Sequence, residues 1–214
     1  LSLSNKTKNI PSNVITLGIN AYSQMRAITD FLKNKKKNRT IILVPNAQYK
    51  SELSEAISKL NYKFSNIYSY DVEPNKLTSQ IQQITSYNER RKNLERRITI
   101  LENSDAVMDI EELENLKKKY TLGDVNFDSV VIADFGENLK SIVNSFSFSD
   151  VSSKDVTFIT LNQWFDETLF KESSTNEIYF PSINFDNYLK YRKTYFEKYN
   201  RYPSIISILS YDIL

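Results

Sequence analysis

Phe127-Asp128-Ser129-Val130-Val131-Ile132-Ala133-Asp134-Phe135-Gly136-Glu137 carries the plainest structural signal in the chain. Ser129 to Ala133 is a short uncharged run with an acid on each side, Asp128 before it and Asp134 after it. Continuous apolar runs of this length, bounded by polar residues, predict a strand buried on both faces rather than an amphipathic one. A helical pattern follows from Glu137 to Phe146. A buried strand feeding directly into a helix is the repeating unit of a parallel sheet.

The same alternation extends in both directions. Upstream, Thr40 to Val44 is a second apolar run, followed by a helix over Ser51 to Leu60 with Leu53, Ile57 and Leu60 in register. Phe64 to Tyr70 reads as a strand and Leu77 to Ile84 as the start of a helix. Further back, Val14 to Ile19 reads as a short strand and Tyr22 to Lys33 as a helix with Met25, Ile28, Phe31 and Leu32 on one face. Downstream, Val156 to Leu161 and Ile178 to Pro181 are strand-like. A helix spans Phe185 to Tyr199, and Asn200-Arg201-Tyr202-Pro203 turns the chain into a last helical segment from Ile205. Strands separated by helices imply β-α-β crossovers, so the expected class is α/β, a parallel sheet with helices on both faces. The basic run Lys33-Asn34-Lys35-Lys36-Lys37-Asn38-Arg39 reads as a solvated linker.

Between Ile84 and Tyr120 the period changes. Ile84, Tyr87, Arg91, Leu94, Ile98 and Leu101 recur at spacings of three and four, and after Asn103-Ser104-Asp105 come Ile110, Leu113, Leu116 and Tyr120. This predicts an inserted helical hairpin over 84–120 with a narrow apolar seam. Its outer face is expected to carry Arg90, Arg91, Lys92, Arg96 and Arg97 on one arm against Glu111, Glu112 and Glu114 on the other.

Composition narrows the chemistry. The chain has 214 residues, 40% of them hydrophobic, enough for a real core. A net charge of +2 gives no footprint for nucleic acid. There is no cysteine and no histidine, which removes the thiolate nucleophile and the commonest base and metal ligand. The expectation is therefore a non-enzyme without catalytic residues, metal or cofactor. Three glycines, Gly18, Gly123 and Gly136, form neither a P-loop nor a dinucleotide fingerprint. A paired-carboxylate hydrolase would need two facing acids; Asp71 and Asp134 are conceivable, but nothing in their spacing selects them. No stretch approaches the ~20 apolar residues of a membrane helix. Leu1-Ser2-Leu3-Ser4-Asn5-Lys6 lacks a signal-peptide pattern, and the chain opens without Met, which leaves room for an export signal or lipid anchor upstream.

In an open parallel sheet, ligands bind beyond the carboxyl ends of the strands. The residues that follow the strands are thus the candidate ligand-binding set: Asn46 and Tyr49, Asp71, Asp134 and Phe135, Gln163 and Trp164, and Ser182. Hydrogen-bonding groups mixed with flat rings suit a small polar ligand. Each has a structural alternative, above all Asp134 as a helix cap, Trp164 as a core residue, and Tyr49 as a ring buried against the first helix.

The order of the last forty residues resembles the closing segment of the type I periplasmic-binding-protein fold. That segment is the strand ending in Pro181, the helix with aromatics to Tyr199, the proline turn at Pro203 and the returning helix with Tyr211-Asp212. Ile41-Ile42-Leu43-Val44-Pro45 followed by Tyr49 is similar to the opening of the second lobe in branched-chain-amino-acid-type binding proteins. The middle is similar to the proteobacterial penicillin-binding protein activators. It comprises Ile84-Thr85-Ser86-Tyr87 with Arg90, Arg91 and Leu94, then Leu122-Gly123, the Phe127 to Asp134 strand with Gly136 and Leu139, and Phe158 to Leu161 with Trp164. The resemblance implies a remnant of a first lobe over 1–36, a second α/β lobe over 37–200 that includes the hairpin, and a helix over 201–214 returning to the first lobe. It implies an activator or scaffold for a peptidoglycan synthase, in the periplasm or on the periplasmic face of the outer membrane. The alternative is the solute-binding component of an ABC-type uptake system for amino acids or peptide-like ligands. Tyr49, Asp134 and Gln163 fall where second-lobe ligand contacts are expected, although these loops offer no clear cation for a ligand carboxylate. A homodimer through the exposed first-lobe remnant is a further candidate association.

Overall fold

The computed structural model describes residues 2–3, 9–47, 49–71, 73–103, 107–163, 169, 171 and 177–211. Its centre is a four-stranded sheet of β1 (Thr40–Pro45), β2 (Asn66–Tyr70), β3 (Ser129–Ile132) and β4 (Thr157–Thr160). The strand order is β2-β1-β3-β4, and every pairing is parallel. Tyr179 adds a single parallel bridge on the outer side of β4, donating its N–H to Phe158 O and accepting from Thr160 N. Ile178 to Pro181 therefore pairs at one residue rather than as a full strand.

Side-chain alternation explains why the central strands are apolar throughout. Ile41, Leu43, Val130, Ile132 and Phe158 point to one face. There they meet Leu77 and Ile81 of α3 (Pro74–Ile84) and Leu139, Ile142, Val143 and Phe146 of α6 (Gly136–Phe148). Ile42, Val44, Val131, Ala133 and Ile159 point to the other. They meet Met25, Ile28 and Leu32 of α1 (Ala21–Asn34) and Leu53 and Ala56 of α2 (Lys50–Ser58). Each buried leucine or phenylalanine contributes on the order of 1.5–3 kcal/mol, so these two layers carry most of the stability. Edge strand β2 buries Tyr70 and leaves Ile67 exposed.

Val14 to Ile19 is not a strand. Among the described residues its one ladder contact is the parallel bridge between Ser2 and Thr16, and Ile15 is exposed.

The hairpin forms as α4 (Tyr87–Glu102) and α5 (Val107–Leu116), with Ser86 in the left-handed region (φ 50°) at the joint with α3. Leu94, Leu101 and Leu116 make its small core with Ile98, Leu113 and Leu122. Ile110 and Tyr120 are exposed instead of joining the seam, because Tyr120 lies beyond the end of α5 and Leu122 fills that place. Opposite charges pair across the arms, Arg97 with Glu112 through two hydrogen bonds and Lys117 with Glu102. Arg90, expected on the outer face, is buried. Its guanidinium donates to the carbonyls of Gly123 (2.9 Å), Ser149 (3.2 Å) and Asp150 (3.0 Å) and to Thr121 Oγ1 (2.7 Å). That side chain ties the base of the hairpin to the turn after α6.

Beyond the sheet, α7 (Phe185–Tyr199) is capped by Asn184 at its start and ends at Asn200 in the left-handed conformation. Tyr188 and Tyr191 pack with Ile208 of the last helix, α8 (Ile208–Tyr211), in a cluster of their own.

Candidate functional site

The order β2-β1-β3-β4 places the reversal of chain direction between β1 and β3. The chain leaves β1 toward β2 on one side and later returns to β1's other side as β3, so the loops that follow these two strands diverge. In open parallel sheets, ligands bind at such a point, beyond the carboxyl ends of the strands. The segment after β1 brings Asn46 and Tyr49 there, and the segment after β3 brings Asp134 and Phe135.

Asp134 is the centre of the arrangement and is 1% exposed. Its Oδ1 accepts from the Tyr49 hydroxyl (3.0 Å) and from the Phe135 backbone N–H (2.9 Å), and its Oδ2 accepts from the Tyr70 hydroxyl. Its backbone carbonyl accepts from Thr160 Oγ1 (2.7 Å) and Gln163 Nε2 (3.1 Å). A buried carboxylate is tolerable only when donors replace its water, and three do so here. The helix cap is not among its roles: Phe135 is the capping residue of α6 and makes no side-chain cap bond, and the first N–H of the helix, that of Gly136, is met by Gln163 Oε1.

These bonds fix the Tyr49 ring. Phe135, 54% exposed, stacks on it with centroids 6.0 Å apart and planes inclined by 28°. A flat, half-solvated aromatic pair thus lies over a buried carboxylate. Burial first, then the charge of Asp134 and the hydrogen bond to it, pushes the Tyr49 phenol well above its ordinary value; for Tyr70 burial again leads, followed by the hydrogen bond to Asp134. Both tyrosines therefore act as hydrogen-bond donors throughout the physiological range.

The other expected residues divide. Gln163 is 5% exposed and works from beneath, its amide bridging Asp134 O, Leu161 O and the Gly136 N–H. Asn46 is exposed and accepts from Lys50 Nζ at 2.8 Å, which brings a cation to the same loop. Asp71 belongs elsewhere: its carboxylate accepts from Glu73 N and lies 3.6 Å from Lys76 Nζ, while its backbone N–H donates to Gln80, so it organises the start of α3. Asp71 and Asp134 thus answer to separate partners and form no catalytic dyad. Ser182 is exposed, three residues past the Tyr179 bridge. Trp164 lies outside the described residues. Sequence reasoning missed Tyr70 and Thr160. The alternation in β2 already turns Tyr70 inward, and reaching Asp134 requires crossing β1, about two strand spacings of ~4.8 Å, a span that the tyrosine and aspartate side chains close together through their hydrogen bond. Among the described residues no group of three or more acids could hold a metal ion, and no helix is long and apolar enough to cross a membrane.

No protein-family model matches the chain, and no curated protein matches it by sequence. Solved structures do. An extracellular ligand-binding receptor from Desulfohalobium retbaense superposes over 97% of this chain and 31% of its own length, with a TM-score of 0.53 and 13% identity. An ABC transporter substrate-binding protein from Desulfitobacterium hafniense covers 92% of this chain and 49% of its own, with a TM-score of 0.50 and 11% identity. The chain therefore spans about a third to a half of these proteins. At such identities the likeness concerns the fold: this chain has the α/β, all-parallel architecture of type I periplasmic-binding-protein-like structures.

Proposed function

We propose that the chain is one lobe of an extracytoplasmic ligand-binding receptor and that it holds a small polar ligand, without chemical conversion, at the carboxyl ends of β1 and β3. The observation that carries this reading is the Tyr49–Phe135 pair, held rigid by a buried carboxylate at the switch point of the sheet. Preorganised rings give up little entropy on binding. The exposed face of Phe135 takes the flat or apolar part of the ligand, while Asn46 and Lys50 face its polar part. In a two-lobed receptor this surface forms one jaw, and the ligand's preference for the closed state supplies the energy of closure. Amino acids and peptide-like solutes are the ligand class of choice, in keeping with the substrate-binding role named for one structural neighbour.

The test is a thermal-melt screen of this chain and of its Phe135→Ala variant against free amino acids and short peptides. A ligand at 100 times its dissociation constant adds ~2.7 kcal/mol, several degrees for a domain of this size. A shift present in the parent and lost in Phe135→Ala supports the site. A shift that survives the substitution places binding elsewhere.

The hairpin favours a second reading, a scaffold that activates a peptidoglycan synthase. α4 and α5 form a rigid arm, anchored by Arg90, that exposes Ile100 and Ile110. Capture of a purified synthase that fails for the Ile100→Glu/Ile110→Glu double variant would support it. Equal capture by both proteins would remove it.

A further inference from the structure

We propose that the amino end of the sheet is a docking surface for anionic lipid headgroups. The basic run that ends α1 and leads to β1 is solvated, as its composition implies, but its backbone is also fixed. Lys36 N–H donates to Lys33 O (3.0 Å) and Lys37 N–H to Leu32 O (2.9 Å), with Lys36 at φ 55°. That is the two-bond closure of a helix end, in which the left-handed position normally belongs to glycine. The turn is pinned from outside as well: Tyr62 Oη donates to Lys37 O, and Asp128 Oδ2 accepts from the N–H groups of Asn38 and Arg39. Lys33, Lys35, Lys36 and Arg39 are exposed on this fixed turn, and Lys63 is exposed next to Tyr62. No acid occurs between Phe31 and Ser51.

The charges at the helix end have a structural share, since cations there offset the helix dipole. That share does not account for Lys36, which occupies a conformation a side chain strains to adopt. Strain kept at a charged, exposed position points to use. The run holds four lysines and one arginine, compact point charges rather than bidentate phosphate forks, and the cavity beside it at Arg39 is lined by the acids Asp124, Asp128, Asp150 and Asp155, which repel a threaded phosphate chain. Those features favour diffuse attraction to a charged surface over the grip of a threaded polymer. Strand polarity adds a consequence: the turn precedes β1 and the ligand crevice follows it, so a molecule bound this way presents its crevice outward.

The experiment is co-sedimentation with phosphatidylglycerol–phosphatidylcholine vesicles and with phosphatidylcholine alone, at low and at physiological salt. Binding is expected only to the anionic vesicles and weakens with salt. Each neutralised lysine lowers affinity about fivefold, so Lys33→Gln/Lys35→Gln/Lys36→Gly together lower it about a hundredfold. The Lys92→Gln/Arg96→Gln/Lys118→Gln control removes three exposed cations from the hairpin region instead, and both triple variants lower the formal net charge from +2 to −1. Near-parental binding by the control supports the patch; equal loss in both overturns it in favour of net charge alone. Lys36→Gly by itself separates binding from folding, because it relieves the strained turn and is expected to raise Tm while lowering vesicle affinity. Absence of binding at low salt, or tighter binding to duplex DNA at equal phosphate concentration, also overturns the proposal.

Discussion

Asp134 and Arg90 are both buried charged side chains, one at the carboxyl end of the sheet and one at the root of the hairpin, and they are satisfied in different ways. Arg90 spends three of its four described hydrogen bonds on main-chain carbonyls of loops. Asp134 receives two of its three from tyrosine side chains, and one of those rings reaches the surface. A charge bound to backbone fixes where the chain goes. A charge bound to side chains fixes the shape of a surface, and the cost of burying it is repaid in ring orientation. This difference separates a structural staple from a positioning residue without any appeal to fold.

Substitution at the staple is expected to produce the largest effect. Arg90→Ala strands the carbonyls of Gly123, Ser149 and Asp150 and should cost ~3–5 kcal/mol in urea unfolding, since each lost bond to a charged group is worth ~1.5–3 kcal/mol and part of the loss is recovered by water. Arg90→Lys should recover little of this, because an ammonium cannot reach four acceptors in one plane. A loss as small as that of a surface change would erase the contrast. Asp134→Ala comes next: two phenols and one N–H lose their acceptor, at ~1–3 kcal/mol for the buried donors. Its distinguishing mark is a loosened Tyr49 ring, visible as faster ring flipping by NMR, which Arg90→Ala should not produce.

Alkaline pH sharpens the comparison further. Tyr49 and Tyr70 hold their protons above the ordinary tyrosine value near 10, while the unfolded chain releases them there. The folded state then binds more protons, so their contribution is fully present below about pH 10 and declines as pH rises above it. Tyr49→Phe and Tyr70→Phe should each flatten that decline by up to ~1.4 kcal/mol per pH unit in the unfolding free energy. The smallest stability effect belongs to Phe135→Ala, within ~1 kcal/mol for a half-exposed ring, although it should abolish ligand binding.

Much of this architecture was legible. β1 and β3 are buried on both faces, so their apolar runs are continuous, and α1 follows from periodicity alone. Asp134 and Phe135 stand out in the sequence because they follow β3, at the end of a parallel sheet where ligands usually bind. Asp71 follows β2 by the same rule, and its carboxylate also holds the start of α3, a role that the rule does not report because it locates an end of the sheet and not a partner. Tyr70, Thr160 and Arg90 escaped because their roles depend on groups 26 to 64 residues away in the chain. Val14 to Ile19 forms a single bridge, Thr16 with Ser2, among the described residues, because the extent of pairing is not set by local apolar content.

The most direct test is an aromatic NMR titration of the chain with a panel of free amino acids, following the ring resonances of Tyr49 and Phe135. The account predicts that at least one member moves both rings together, and that Asp134→Ala weakens the response while leaving the Phe146 core resonances in place. Shifts confined to other residues, or none from any member of the panel, would contradict it.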